Sequence, residues 1–345
     1  MTMTMHHDLL KTIADLNKAL GDRVVMGSDV ANPGRITTGS LALDLVLGGG
    51  WPTGVWSEIV GEASHGKTAV CLKTIATNQA LDPDFTTVWI AGEPWHPEWA
   101  ATCGVDNDRV IVVESNIMED AYEAAIKFCE SKQVDLLVID SLPALTPSTE
   151  SEKAMDEFTV GRGALVTNKF FRKIAAAQAR QPGEKQVAGI LINQYRMKIG
   201  VMHGDPRTTP GGLGKDYAMA VRCEVKRDEW QEIGPSGNKR RIGQTIKMRT
   251  IKNKTYPPQQ TAYVDFYVAD GGDVPAGEYD FGKEIVSLSL INGVVERRGG
   301  WVYYTHAGVA RKWQGAANLL ASVREEPDLR SALEREVMDT LRKTP

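Results

Sequence analysis

The chain has 345 residues, 42% of them hydrophobic, and a formal net charge of −4. That length suits one large domain with one or two small appendages, and the slight acidity argues against a protein that grips nucleic acid over its whole surface. No stretch approaches the ~18 consecutive apolar residues of a membrane span, and the start, MTMTMHHDLL, lacks the basic end and apolar run of a secretory signal; a cytoplasmic protein without a membrane partner is expected.

Leu9, Leu10, Ile13, Leu16 and Leu20 recur at helical spacing between Asp8, a plausible N-cap, and Gly21, a plausible stop. A helix this short is marginal alone, so its stripe must dock on its own core or on a neighbouring subunit. Asn32, Pro33 and Gly34 read as a linker. Apolar runs at Trp56–Val60, Thr87–Ala91, Val110–Val113, Leu136–Ile139 and Val187–Ile192 then alternate with helical stretches at Lys67–Gln79, Met118–Ser131 and Gly163–Ala179. Short Val- and Ile-rich runs between helices predict a mostly parallel sheet covered on both faces. Ala218–Lys226, Gln244–Ile251 and Ala262–Val268 predict consecutive antiparallel strands, with Asp228–Lys239 as a polar connection. A small mixed α/β segment ends in a helical pattern over Leu329–Leu341. The expected class is α/β, in three parts: 1–33, a helix and linker for subunit packing; 34–270, a P-loop core; and 271–345, a small C-terminal domain.

Charge is unevenly spread. Leu81 to Val160 carries seventeen Asp and Glu against four Lys and Arg, whereas Ile233 to Ala262 carries seven Lys and Arg and no acid, so any contact with nucleic acid should be local. Cys71, Cys103, Cys129 and Cys223 lie far apart without a C-x-x-C pair, which favours small buried hydrophobes over disulfides or zinc ligands.

Gly61, Glu62, Ala63, Ser64, His65, Gly66, Lys67 and Thr68 fit G-x-x-x-x-G-K-[ST] between a strand and a helix that begins with Lys67, Thr68 and Ala69. Glycines let backbone N–H groups turn inward around phosphate oxygens, Lys67 reaches the β- and γ-phosphates of ATP, and Thr68 offers a hydroxyl to Mg²⁺. The strand Leu136–Ile139 closes on Asp140, the type of acid that holds Mg²⁺ through its water shell. Glu93, after another strand, is either the base that orients and deprotonates water or a solvated loop acid.

The segments Ile36-Thr37-Thr38-Gly39-Ser40-Leu41-Ala42-Leu43-Asp44, Asp140-Ser141-Leu142-Pro143-Ala144-Leu145-Thr146-Pro147, Leu191 to Gly212, and Lys252-Asn253-Lys254 closely resemble the RecA family of DNA recombinases, bacterial and phage members alike. Similarity runs from about residue 8 to 340. The resemblance implies a RecA-like P-loop core, with Glu93 as catalytic base and Gln194 sensing the γ-phosphate at the root of a DNA-binding loop. It implies that Lys252 and Lys254 reach ATP on the adjacent subunit, so that the active form is a filament. His96 and Trp99 fall where the family contacts adenine, although a tryptophan there also suits a core. The Glu93 to Pro97 spacing is one residue shorter than in familiar bacterial members, and His65 replaces the usual serine.

The loop's own chemistry agrees with that reading. Arg196, Lys198, Arg207 and Lys215 can neutralise phosphates, Gly211 and Gly212 permit close backbone approach, and Ile199 can wedge between bases, with Thr208 beside them. A first DNA loop is implied at Glu152–Arg162, with Arg162 and, further on, Asn168 and Arg172. The chain stops without the acidic tail of many bacterial members, so weaker autoinhibition of duplex binding is expected. The function implied is ATP-dependent homologous pairing and strand exchange on single-stranded DNA, with homologous duplex as second partner. Two alternatives use the same motifs: an ATP-gated single-strand-binding scaffold, and a hexameric helicase motor, which would lack a separate unwinding domain.

Overall fold

Five short apolar segments form the middle and one edge of an eight-stranded sheet, four of them buried along their whole length and the edge strand Val110–Glu114 only in part. The computed structural model describes residues 7–20, 24–30, 32–151, 161–178, 184–197, 206–306 and 308–343. The sheet strands are β1 (Trp56–Val60), β2 (Thr87–Ala91), β3 (Val110–Glu114), β4 (Leu136–Asp140), β5 (Ala188–Asn193), β6 (Met219–Ile233), β7 (Arg240–Asn253) and β8 (Thr261–Tyr267). They lie in the order β8-β7-β6-β1-β5-β4-β2-β3. From β6 through β3 every pairing is parallel, and β6-β7-β8 is antiparallel.

Alternation along the strands feeds two cores. Ile59, Val138 and Ile190 face α3 (Lys67–Leu81) through Val70, Leu72 and Ile75. Leu137, Ile139 and Leu191 face α4 (Met118–Ser131) and α5 (Arg162–Ala177), where Tyr122 stacks on Phe170 with ring centroids 4.1 Å apart. Burial of the strands on both faces is what sets a parallel sheet. The four cysteines are free and buried.

The antiparallel arm is longer than its sequence pattern predicts. Asp228 to Ile233 continues β6 as strand instead of forming a connection, and only the residues between β6 and β7 turn. Tertiary contacts override the polar composition: Trp230 is held between the guanidinium groups of Arg227 and Arg241, 4.0 and 4.4 Å from its ring, and Gln231 donates to Thr245 at 2.8 Å.

Packing divides the chain into Met1–Gly34 and Arg35–Pro345. In the first unit α1 (His7–Leu20) leaves Leu9, Leu10, Leu16 and Leu20 exposed, and the Asn17 amide brackets the backbone of Val24 with bonds of 2.7 and 2.8 Å. In the second, α2 (Leu41–Leu47) is capped by Ser40, while Asp44 accepts from the Thr38 amide at 2.7 Å and from the Thr37 and Thr38 hydroxyls, which explains the T-T-G-S-x-x-x-D spacing. The C-terminal residues form α7 (Phe281–Ile291), a three-stranded antiparallel sheet of β9 (Glu296–Arg298), β10 (Trp301–His306) and β11 (Val309–Gln314), then α8 (Gly315–Glu325) and α9 (Pro327–Lys343), around a core of their own. Glu284 of α7 ties that segment to the sheet domain. Its buried carboxylate accepts from the Ser40 hydroxyl and from the amides of Leu41 and Ala42, at 3.3 and 3.0 Å.

Candidate nucleotide and DNA site

Parallel strands end at one edge, so the residues that follow β1, β2, β4 and β5 are brought together by topology alone. After β1 the chain enters the P-loop, with Gly61 buried and Glu62, Ala63 and Ser64 exposed. Gly66 takes a left-handed φ of +96° at the start of α3, and a Cβ there would stand 2.6 Å from Ile246. Only glycine fits that turn. Ser64 also adopts a positive φ of 60°. The outcome is a turn with two left-handed residues feeding a helix N-terminus, with Lys67, Thr68 and Ala69 in the first turn, a setting that suits a polyphosphate.

Lys67 is buried, and its ammonium donates to the Glu62 carbonyl at 2.6 Å, so the cation is held by its own loop. Burial lowers its pKa, opposed by the nearby Asp140 and Glu93 carboxylates. Thr68 Oγ1 donates to Asp140 Oδ2 at 3.1 Å. Burial, reinforced by Glu93, pushes the Asp140 carboxyl up to about 6, and a divalent cation beside it would relieve that strain on charge. Among the described residues no group of three or more His, Cys, Asp or Glu forms a protein-only metal cage; the Thr68 hydroxyl and Asp140 nonetheless suit a Mg²⁺ that takes its other ligands from phosphate and water. Glu93 is exposed on the loop after β2, where the Ser141 hydroxyl donates to Oε1 at 2.8 Å and the Glu93 amide donates to the Asp140 carbonyl at 3.0 Å. Lys67, Thr68, Asp140 and Glu93 therefore form one cluster. His65 Nδ1 is buried without a hydrogen-bond partner, its Nε2 lies 3.9 Å from Glu62, and burial followed by the charge of Arg227 lowers its pKa.

His96 is exposed, whereas Trp99 is half-buried and meets Phe266 edge-on at 6.4 Å, so its ring is part of the core packing. Gln194 follows β5, and its amide donates to Asn193 Oδ1 at 2.9 Å. Arg196–Met197 and Arg207–Thr208 pair as a two-residue antiparallel ribbon at the base of the loop, and Arg196 is exposed. Arg207 pairs with Glu224 at 2.7 Å and lies 4.7 Å over the Tyr195 ring. Lys198, Ile199 and residues 152–160 lie outside the described residues.

Arg162 and Arg172 are exposed on α5, and Asn168 and Arg172 line a groove of about 810 Å³ with Leu165, Phe171, Gly214 and Tyr217. Gly211 and Gly212 open α6 (Gly212–Ala218). Lys252 donates to the Asp216 carbonyl at 2.6 Å and Lys254 to the Tyr217 carbonyl at 3.2 Å. Among the described residues these two lysines bond to the end of α6 and not to the P-loop.

One assignment is corrected. Lys215 reads from sequence as a cation for DNA phosphates, but its side chain is fully buried, and its ammonium pairs with the Glu58 carboxylate, with Asp216 at 2.8 Å and with the Thr209 hydroxyl at 3.0 Å. A cation removed from solvent in this way has its charge answered inside the fold. Sequence reasoning also missed Glu58, Asn193 and Arg222. The available signal was a lone acid in the apolar run Trp56–Val60 and a lone amide closing Ala188–Asn193.

A sequence model described as the RecA N-terminal domain matches residues 7–273. The chain belongs to the RecA family. It is 35% identical to Protein RecA of Frankia alni over 333 residues, 95% of this chain and 91% of that one. It is 33% identical to Protein RecA of Staphylococcus aureus over 333 residues, 95% of this chain and 90% of the relative. As a RecA-family member it is a nucleotide-binding, DNA-dependent ATPase and recombinase, with strand exchange as its role. Among the described residues no helix is long and apolar enough to cross a membrane.

Proposed function

We propose that this RecA-family chain binds ATP with Mg²⁺ in the P-loop, assembles as a helical filament on single-stranded DNA and pairs that strand with a homologous duplex. The observation that carries the reading is the gathering of Lys67, Thr68, Asp140 and Glu93 at one sheet edge, with Gln194 just after β5 at the root of the loop. When bound, Mg²⁺ supplies charge neutralisation at the phosphates. Thr68 would hold it through its hydroxyl and Asp140 would hold it through water. Lys67 exchanges its bond to the Glu62 carbonyl for phosphate oxygens. Glu93 takes a proton from the water that attacks the γ-phosphorus as the bond to the β-phosphate oxygen breaks.

Gln194 meets the γ-phosphate and so links nucleotide to the loop. Arg196, Lys198, Arg207, Thr208, Ile199, Gly211 and Gly212, with Arg162, Asn168 and Arg172, line the path of the strand, while His96 and Trp99 flank the adenine. Lys252 and Lys254 serve the nucleotide of a neighbouring subunit, which makes hydrolysis depend on assembly. Residues 1–33 act in subunit packing, 34–270 as the ATPase core and 271–345 as a small appended domain, in a cytoplasmic protein.

Phosphate release measured with and without single-stranded DNA tests the reading: stimulation by the strand is expected, and its absence would overturn it. A three-strand exchange assay separates a recombinase from a scaffold, since a scaffold binds DNA and yields no joint molecules.

A further inference from the structure

Among the described residues, the most heavily buried charges are used neither by the phosphate cradle nor by the DNA surface. Glu58, Lys215 and Asn193 are each wholly removed from solvent. Glu58 Oε1 accepts from Lys215 and from Asn193 Nδ2, the latter at 2.8 Å, and Oε2 accepts from Arg222 Nε. Asp216 completes the cluster with carboxylate contacts of 2.8 Å to Lys215 and 3.2 Å to Arg222, so two acids face two bases and the charges balance.

The members come from three neighbouring strands of the sheet and from α6. Glu58 lies in β1, three positions before Gly61 and opposite Leu191 of β5 and Arg222 of β6. Asn193 closes β5 and immediately precedes Gln194. Its Nδ2 also donates to the Pro210 carbonyl at 3.2 Å, on the far side of the loop. Thr209 Oγ1 accepts from Lys215 at 3.0 Å and from Arg222 at 3.2 Å. One carboxylate on the strand that delivers the P-loop thus holds both roots of the loop, 193 on one side and 209–215 on the other. Burying the Glu58–Lys215 pair, with Arg222 and Asp216 only part-buried beside it, gives little or no stability over an apolar filling of the same space, and the best-attested reason to keep such a pair is to fix one arrangement against another.

We infer that Glu58 is a positioning residue that, through Lys215, Asn193 and Thr209, makes the two roots of the 194–211 loop move as one body with the P-loop strand, and so carries the coupling between nucleotide and DNA affinity. This rests on the proposed function. A shift at Gln194 alone would displace one root; with both roots clamped to Glu58 it moves the two together. Coupling then requires the clamp, whereas nucleotide binding at the cradle does not.

The readout is the ratio of single-stranded oligonucleotide affinities with and without a non-hydrolysable ATP analogue, measured by fluorescence anisotropy on the full chain, with analogue affinity and Tm alongside. In Glu58→Gln/Lys215→Met, which removes one charge of each sign, the ratio should fall about tenfold or more, within the usual span of coupling, with analogue affinity kept within about threefold. If that variant does not fold, Thr209→Val decides: it should lower the ratio, and Thr209→Ser, which keeps the hydroxyl, should restore it. A lowered Tm with an unchanged ratio in the folded variants would show that the cluster is only structural and overturn the inference. A wild-type ratio near one would instead remove the proposed function on which it stands.

Discussion

Lys67 and Glu93 belong to one cluster but differ in setting and in proposed role, since one is a buried cation at a helix N-terminus and the other an exposed carboxylate held by Ser141. Lys67→Ala should lower ATP affinity by tenfold or more, about the worth of one charge-assisted contact to phosphate. Glu93→Gln should leave ATP and DNA affinities nearly intact and slow hydrolysis by about 10²- to 10⁴-fold, the range of a lost general base. Equilibrium binding beside single-turnover hydrolysis separates them, and equal loss of nucleotide affinity in both would displace Glu93 from its role. At this scale the P-loop was legible because its residues act through their own backbone. Lys215 was not, because its partner Glu58 is 157 residues away and a lysine among glycines ordinarily faces water.

Among the elements, α6 depends on the turn that enters it. Gly211 has φ +99°, and a Cβ would stand 2.8 Å from Lys215 Cδ and 2.9 Å from Leu142 Cδ2. Gly211→Val therefore combines backbone strain of ~1–3 kcal/mol with pressure on the buried lysine arm. The expected result is a marked loss of oligonucleotide affinity with nucleotide affinity little changed; unaltered DNA binding would detach this loop from the DNA path. The alternation of short strands and helices was readable from periodicity, because each strand is buried by its own pattern. The full length of β6 and β7 was not readable, since Trp230 between Arg227 and Arg241 makes strand out of a polar stretch.

Across the whole molecule, the tie between the C-terminal segment and the sheet domain is pH-sensitive. Burial pushes the Glu284 carboxyl up to about 7 from its ordinary value of 4.5. The folded protein then keeps a proton that the unfolded chain has lost, so this group's contribution is complete below pH 4.5 and fades as pH rises through 7. Glu284→Gln removes that slope while keeping an acceptor for Ser40 and Ala42. Its Tm should gain on the wild type by a few degrees between pH 5 and pH 8, and parallel Tm curves over that interval would exclude Glu284 as the source. The sequence by itself determined the α/β class, the glycine-rich turn between β1 and α3 and the family, because strand and helix periods and such a turn are written in residues close along the chain. Only the tertiary structure decided that Glu58, Asn193, Lys215 and Arg222 share one buried cluster and that Glu284 clamps α2. A charge's partner in the interior is chosen by which strands lie side by side, and the order of strands in a sheet is a property of the folded molecule.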